Sequence, residues 1–432
     1  MLENLHQAVR TLVIASLCGL VFSSSSAAII GTNTPAESVT LVRIARLPKS
    51  ERPAWEKYLS QSQTKRRADQ DYFRGELKKN GLTQATQPPD QRGIRGIPLD
   101  RPTEWYASSE ASAIADNIIS FQTPAGGWSK NLDMASAPRK PGERFAHGNL
   151  SHYPGSLDFD APQDENWNYV GTFDNDATTT QLQFLARVIT ARGTAASAKY
   201  RKAFLKGLDY VFCAQYPNGG WPQVWPLQGG YHDAITYNDD AMTHVLVLLN
   251  AVASGSKDYS FLSHSIRLKA AGCLQHGIQC VLATQIRVKN QPTVWCQQHD
   301  ALTLVPCSAR NYEMPSQASS ESAALVLFLM DLPHPDSAVI SAVNSALKWF
   351  NETKISDMTY QRGASDLVSA PGQGPLWARY YEVGTNRPIF GDRDKTIHDR
   401  LDEISAERRR GYGWYRDTPR EVLERYAKGK HE

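Results

Sequence analysis

The sequence predicts an all-α dominated fold, an α/α toroid or partial (α/α) barrel with long loops forming a substrate groove. Residues 172–187 read TFDNDATTTQLQFLAR and residues 236–250 read TYNDDAMTHVLVLLN. Both run threonine, aromatic, three positions of Asp or Asn, alanine, then an apolar helical stretch. Each has a Gly-Gly-Trp turn upstream, Gly126-Gly127-Trp128 and Gly219-Gly220-Trp221. Repetition on this scale marks a supersecondary unit stacked on copies of itself. The loops between the helical stretches are rich in Gly, Pro, Trp and Tyr, without the alternation of a half-buried sheet.

In chain order, the first segment stands outside the fold. Arg10 precedes an apolar run from Thr11 to Phe22, and SSSSAA then supplies small residues for cleavage near Ala27 or Ala28. Residues 1–28 therefore read as a secretory signal peptide, too short to span a bilayer. The protein is expected to be secreted, extracellular or periplasmic, with no membrane association after cleavage. A net charge of +3 on 432 residues does not call for nucleic acid. Five cysteines remain in the mature chain, an odd number. Cys296 with Cys307 is the preferred disulfide, each flanking a short loop. Cys273 and Cys280 lie two helical turns apart, too far to bridge.

Residues 29–103 are polar and poor in aliphatic periodicity. They read as an N-terminal extension, with an exposed helix over 51–80 and a Pro- and Gly-punctuated linker over 81–103. The toroid domain is expected over 104–432. Apolar residues at helical spacing predict helices over 107–121, 177–191, 197–215, 239–254, 258–283, 319–331 and 335–351. A third, degenerate repeat is visible: Trp295-Cys296-Gln297 echoes Trp221-Pro222-Gln223, and SSESAALVLFLM (319–330) echoes the repeated helix. Residues 360–418, with little helix and many Arg, Gly and aromatics, are expected to lie as long loops over the face made by the helix N-termini.

Three constellations carry chemistry. Asp174, Asn175, Asp176, Asn238, Asp239 and Asp240 offer hard oxygen ligands suited to calcium (Ca2+) and not to zinc. Helix capping is the plainer reading, but one cap accounts for one carboxylate per helix and not for a triplet, twice. Lys130, Arg310, Arg379, Arg387 and Arg393 sit among aromatics and small polar residues, unlike the Glu- and Lys-rich setting of a solvated charge such as the 397–410 run. Guanidinium groups grip carboxylates bidentately, so these cations point to a polyanionic ligand; the alternative is that Arg379 and Arg393 pair with Glu382, Asp392 or Asp394. The aromatics Trp128, Trp167, Tyr169, Trp221, Trp225, Tyr231, Tyr237, Tyr312, Tyr380 and Tyr381 suit sugar rings or core packing. His232 and His299, each followed by Asp, are candidate dyads, and His232 lies near the second acidic triplet.

GGWSKNLDM, TFDNDATTTQLQFLARV, PNGGWPQVWPLQGGYHDAITYNDDAM, WCQQHD with SARNYEMPSQASSESA, and ARYYE with NRPIFGDRD together resemble the family 10 pectate lyases, from about Trp105 to Tyr415. The resemblance implies an α/α toroid and Ca2+-dependent cleavage of polygalacturonate by β-elimination, giving 4,5-unsaturated oligogalacturonates. It implies that the clusters at Asp174, Asn175, Asp176 and at Asp239, Asp240 hold calcium. Lys130, Arg310 and Arg379 would bind uronate carboxylates, and Arg393 would be the base. His232, Tyr312 and Arg387 join them as substrate contacts, and a monomer is expected. Free arginine has a pKa above 12, so an arginine base implies neighbouring cations, desolvation and an alkaline optimum. Two other readings stay open: an inverting glycoside hydrolase on the same scaffold, and a non-catalytic calcium-dependent binder of acidic polysaccharide.

Overall fold

The computed structural model describes residues 28–88, 96–147, 158–161, 164, 166, 167 and 169–429. The expected signal peptide, apart from Ala28, and part of the 81–103 linker lie outside them. Among the described residues α-helices dominate, and the strands are two or three residues long in small ladders without a closed sheet. The helices are α1 (Leu41–Ile44), α2 (Arg52–Lys79), α3 (Ser109–Ser120), α4 (Thr179–Arg192), α5 (Ala198–Ala214), α6 (Ala241–Ser254), α7 (His264–Thr284), α8 (Ser319–Met330), α9 (Ser337–Thr353), α10 (Ala406–Gly411) and α11 (Thr418–Gly429). In α9, Asp336 caps the N-terminus by accepting from Val339 N at 2.9 Å, and Val339, Ala342, Val343, Ala346, Leu347 and Phe350 bury one face. Helix start and apolar stripe thus agree in one short stretch of sequence.

Four tryptophans fasten the repeat. Trp128, Trp221, Trp295 and Trp377 are buried, and each indole N–H donates to a carbonyl of the helix upstream. The acceptors are Ile118 O in α3, Val211 O in α5, Val281 O in α7 and Phe350 O in α9, at 2.8, 2.9, 2.7 and 2.9 Å. Burial of an indole with its N–H satisfied gives both a large apolar contact and a fixed orientation. Gln122, Gln215 and Gln285 add a lace between repeats. Their side-chain amides donate to Ala203 O, Cys273 O and Ala342 O, so α3, α5, α7 and α9 are linked in series. The glycines before Trp221 have a steric reason: at Gly219, φ is +93° and a Cβ would stand 2.1 Å from His276 O. The fourth unit escapes the sequence pattern because no Gly-Gly precedes Trp377.

The N-terminal segment packs on this helical body. The expected exposed helix over 51–80 is α2, and it is half-buried. Trp55, Tyr58, Leu59, Ser62, Asp69 and Phe73 form its inward stripe. That stripe is mostly aromatic and polar, so an aliphatic count misses it. Tyr58 Oη donates to Ala214 O at 2.9 Å, Ser62 Oγ accepts from Leu227 N at 2.8 Å, and Asp69 Oδ1 accepts from Ala125 N at 2.7 Å. Upstream, the strand Gly31–Thr32 pairs antiparallel with Thr396–His398, which pairs in turn with Phe390–Gly391.

The C-terminal part is mainly loops, as expected, but ends in α11, which lies against α8 and α9. The expected disulfide is not formed: all five described cysteines are free. Cys296 Sγ instead accepts from Ser316 N at 3.4 Å and donates to Cys307 O at 3.8 Å.

Candidate active site

The two acidic triplets form two single 3₁₀ turns, Asp174–Asp176 and Asn238–Asp240, set side by side ahead of α4 and α6. Asn175, Asp176, Asp239 and Asp240 all take the left-handed backbone, with φ of 51°, 62°, 47° and 58°. Short Asp and Asn side chains tolerate that region best, which explains the composition of the turns. Strain concentrated this way belongs to sites where side chains must be aimed. Neither helix receives a side-chain capping bond at its N-cap. The carboxylates are therefore free of capping duty.

Asp174 is buried. Its Oδ2 pairs with Lys130 Nζ, while its Oδ1 has no hydrogen-bond partner. Asp239 is exposed, with 43% of its side chain accessible. The surrounding protein and then Asp174 push its carboxyl above the ordinary range, against the pull of Arg379 and Arg310. Burial and the neighbouring Glu321 raise Asp240 to about 7. Asp176, the exposed member of its triplet, pairs with His244 Nδ1 at 2.9 Å. Of the metal candidates, then, Asp239 feels the charge of Asp174, Asp176 pairs with His244, and Asp240 feels the charges of Glu321 and His244.

Each cation brings its own carboxylate. Arg310 Nε and Nη2 bond Glu313 at 2.8 and 2.5 Å. Arg379 Nη2 bonds Glu321 at 2.5 Å and Asn238 Oδ1 at 3.1 Å, and its buried Nε has no partner. Burial alone would lower both guanidinium pKa values, but Glu313 and Glu321 hold them well above the usual arginine range. Arg393 Nε bonds Glu407 at 3.1 Å. Arg379 and Arg393 do pair with carboxylates, as the alternative reading holds, but these are Glu321 and Glu407, brought in from other segments by the fold. Arg387 bonds Glu382 and Asp399, both at 3.0 Å, and joins none of these contacts.

Tyr312 ties the cations together. It is buried, and its ring carries Arg310, Arg393 and Arg408 at 5.1, 5.4 and 4.3 Å from the centroid. Three guanidiniums on one ring make a local field that favours anions. All ten aromatics named from the sequence are buried, so they pack the site and do not stand open as sugar platforms. Lys130 Nζ lies 3.8 Å from the Tyr169 ring centroid. His232 is buried against Tyr231 and Tyr169, and burial lowers its pKa to about 4, so it is neutral at working pH. Neither histidine dyad forms: Asp233 accepts from Gly229 N and Val39 N, and His299 bonds Leu304 O and Cys296 N.

Several site residues are invisible to sequence reasoning. Glu313, Glu321, Glu407 and Tyr412 are partners found only through the fold; Tyr412 Oη donates to Glu313 Oε1 at 2.7 Å. Arg408 lies in the 397–410 run that reads as solvated, yet it is buried between Glu407 and Tyr312. The buried Arg379–Glu321 pair gives a test. Arg379→Ala strands Glu321 without a counter-charge and should destabilise the protein by about 3–5 kcal/mol. Urea unfolding checks this; a stability within about 0.5 kcal/mol of wild type would contradict the pairing.

Do these residues suit a calcium ion? The donors are hard oxygens, and the orphaned Asp174 Oδ1 beside the raised Asp239 carboxyl is what a divalent cation would relieve. Among the described residues, no group of three or more His, Cys, Asp or Glu is set to hold a metal by itself. The fit is to a two-carboxylate share of the shell, open to ligand and water oxygens.

A family profile described as pectic acid lyase matches residues 122–423. Two solved structures are similar to this chain. One is an alanine mutant of a family 10 polysaccharide lyase from Cellvibrio cellulosa in complex with trigalacturonic acid, with 30% identity and a TM-score of 0.63, covering 78% of this chain and 99% of that one. The other is the family 10 polysaccharide lyase from Cellvibrio cellulosa, with the same identity and TM-score, covering 78% of this chain and 98% of its own. No curated protein matches.

Proposed function

This chain belongs to the pectic acid lyase family, and from that membership we propose that it cleaves polygalacturonate by calcium-assisted β-elimination with Arg393 as the base. The observation that carries the proposal is a run of charges that act on one another. Lys130 pairs with Asp174, Asp174 repels Asp239, Arg379 and Arg310 pull on Asp239, and Arg310 and Arg393 share the Tyr312 ring. The bound trigalacturonic acid in the Cellvibrio relative supports an oligogalacturonate substrate for this chain too.

In this reading Lys130, Arg310 and Arg379 hold uronate carboxylates, together with Tyr312, whose ring carries Arg310 and Arg393, and the neutral His232. Calcium held by Asp174 and Asp239, with Asn175, Asp176 and Asp240 behind them, would withdraw charge from the carboxylate beside C5 and acidify its proton. Arg393 takes that proton on a guanidine nitrogen. The C5–H electrons form the C4=C5 bond, the C4–O bond breaks, and the departing oxygen gains a proton from water. Arg387, held by Glu382 and Asp399, is proposed for a more distant stretch of the polymer.

The serial lacing of α3, α5, α7 and α9, with α4 against α6, α6 against α8 and α8 against α11, supports a toroid over 104–432. Export through the 1–28 segment and a monomeric state complete the proposal; no described helix is long and apolar enough to cross a membrane. Paired cations argue against a hydrolase of neutral sugars. The test is ultraviolet absorbance of unsaturated uronate on polygalacturonate at alkaline pH, with calcium and with chelator. Release of reducing ends without absorbance would favour the glycosidase, and affinity without turnover the binding protein.

A further inference from the structure

Residues ahead of the family match hold the arginine loops in place. Resting on the reading of Arg310 and Arg393 above, we propose that Asn33 is a positioning residue for pectate cleavage, its carboxamide fixing the loop over 310–313 and, through Asn311, the backbone of Arg393. Asn33 is buried, and its Nδ2 donates to Arg310 O, Asn311 O and Glu313 O at 3.2, 3.0 and 3.1 Å. Its Oδ1 accepts from Thr34 N at 3.1 Å, which fixes the orientation of the amide. Asn311 carries the link onward: its Nδ2 donates to Arg393 O at 2.8 Å, and its Oδ1 accepts from Phe159 N at 2.9 Å.

The backbone of the same segment grips the loop beyond Arg393. Asn33 N donates to Lys395 O at 2.7 Å and Ile30 N to Ile397 O at 2.8 Å. One short strap therefore touches both loops that carry groove arginines. The 310–313 turn is already closed by its own backbone, Glu313 N to Arg310 O at 2.9 Å and Ala309 N to Glu313 O at 3.0 Å. Asn33 gives those oxygens a second donor, so its loss should move the loop without unmaking the turn. Displacements of that kind are costly, since about 1 Å of misplacement remote from the chemistry can cost 10²-fold in rate.

The test uses the full chain with Asn33→Ala and with Asn33→Asp, which keeps the volume and the Oδ1 acceptor but removes the donor. Both should lower kcat/KM per folded molecule on polygalacturonate by about 10- to 100-fold, Asp more than Ala, with the Asp variant the less stable to urea because its buried carboxylate faces three carbonyl oxygens. Combined with Arg310→Ala, the loss should fall at least about fivefold short of the product of the single losses, because both changes disable one loop. A merely structural Asn33 gives losses that multiply and that track the folded fraction, and this overturns the proposal. So does wild-type kcat/KM in the Asn33 variants, or failure of both to fold. If Arg310→Ala itself keeps wild-type kcat/KM, the underlying reading fails first and the Asn33 inference with it; impaired Arg310→Ala beside unimpaired Asn33 variants sinks the Asn33 inference alone.

Discussion

Arg393→Ala is expected to lose about 10³-fold or more in kcat while trigalacturonate affinity stays within a few-fold of wild type. A positioned base contributes about 10²–10⁴-fold, and Glu407 beside Arg393 is held to about 2 by Arg408 and by Arg393 itself, far too weak a base for a carbon acid. Affinity survives because Lys130, Arg310 and Arg379 remain. Arg393→Lys separates two roles. A lysine keeps the charge but not the planar guanidine, so a largely active lysine variant would make Arg393 a binding group and leave the base unassigned. Stopped assays of unsaturated product, with separate binding measurements, decide between them.

Removing calcium is expected to have a comparable effect. Chelation should cut turnover at least about 10²-fold, restored by added calcium, and Asp174→Asn should do the same with calcium present. Stability offers an independent readout. Asp240 is raised to about 7 in the folded protein, above its unfolded value. Its contribution is therefore fully present below about pH 4 and lost as pH rises through about 7. In the metal-free protein Asp240 is ionised at pH 8, against the charges of Glu321 and Asp239, and largely protonated at pH 5. At a hundredfold excess over its Kd at pH 8, calcium should stabilise the fold by about 2.7 kcal/mol, and the same concentration should stabilise it less at pH 5. Equal shifts at the two pH values would remove the acidic turns from the metal site.

Helix positions were legible because burial writes itself into local periodicity: α4, α5 and α8 fall within about two residues of the apolar runs. The acidic turns were legible because they are duplicated. What stayed hidden is non-local. Nothing in the spacing pairs Arg379 with Glu321 or Arg393 with Glu407, and Asn33 has no local reason to be buried. Arg408 shows the opposite failure. Its neighbours Arg409 and Arg410 make a charged run that resembles a solvated surface, while its own side chain is buried behind Tyr312.

The pairing of Gly31–Thr32 with Thr396–His398 has a consequence for how the molecule is made. Its first strand leaves the ribosome early, and the partner that completes it emerges only near the end of synthesis. Until then that edge is unmatched, and the late arginine loop has nothing to lean on. Long-separation pairings of this kind slow folding, since a large loop must close before the contact repays it. A chain cut short before residue 396 would retain most of its helices and lack the clasp that joins its beginning to its end.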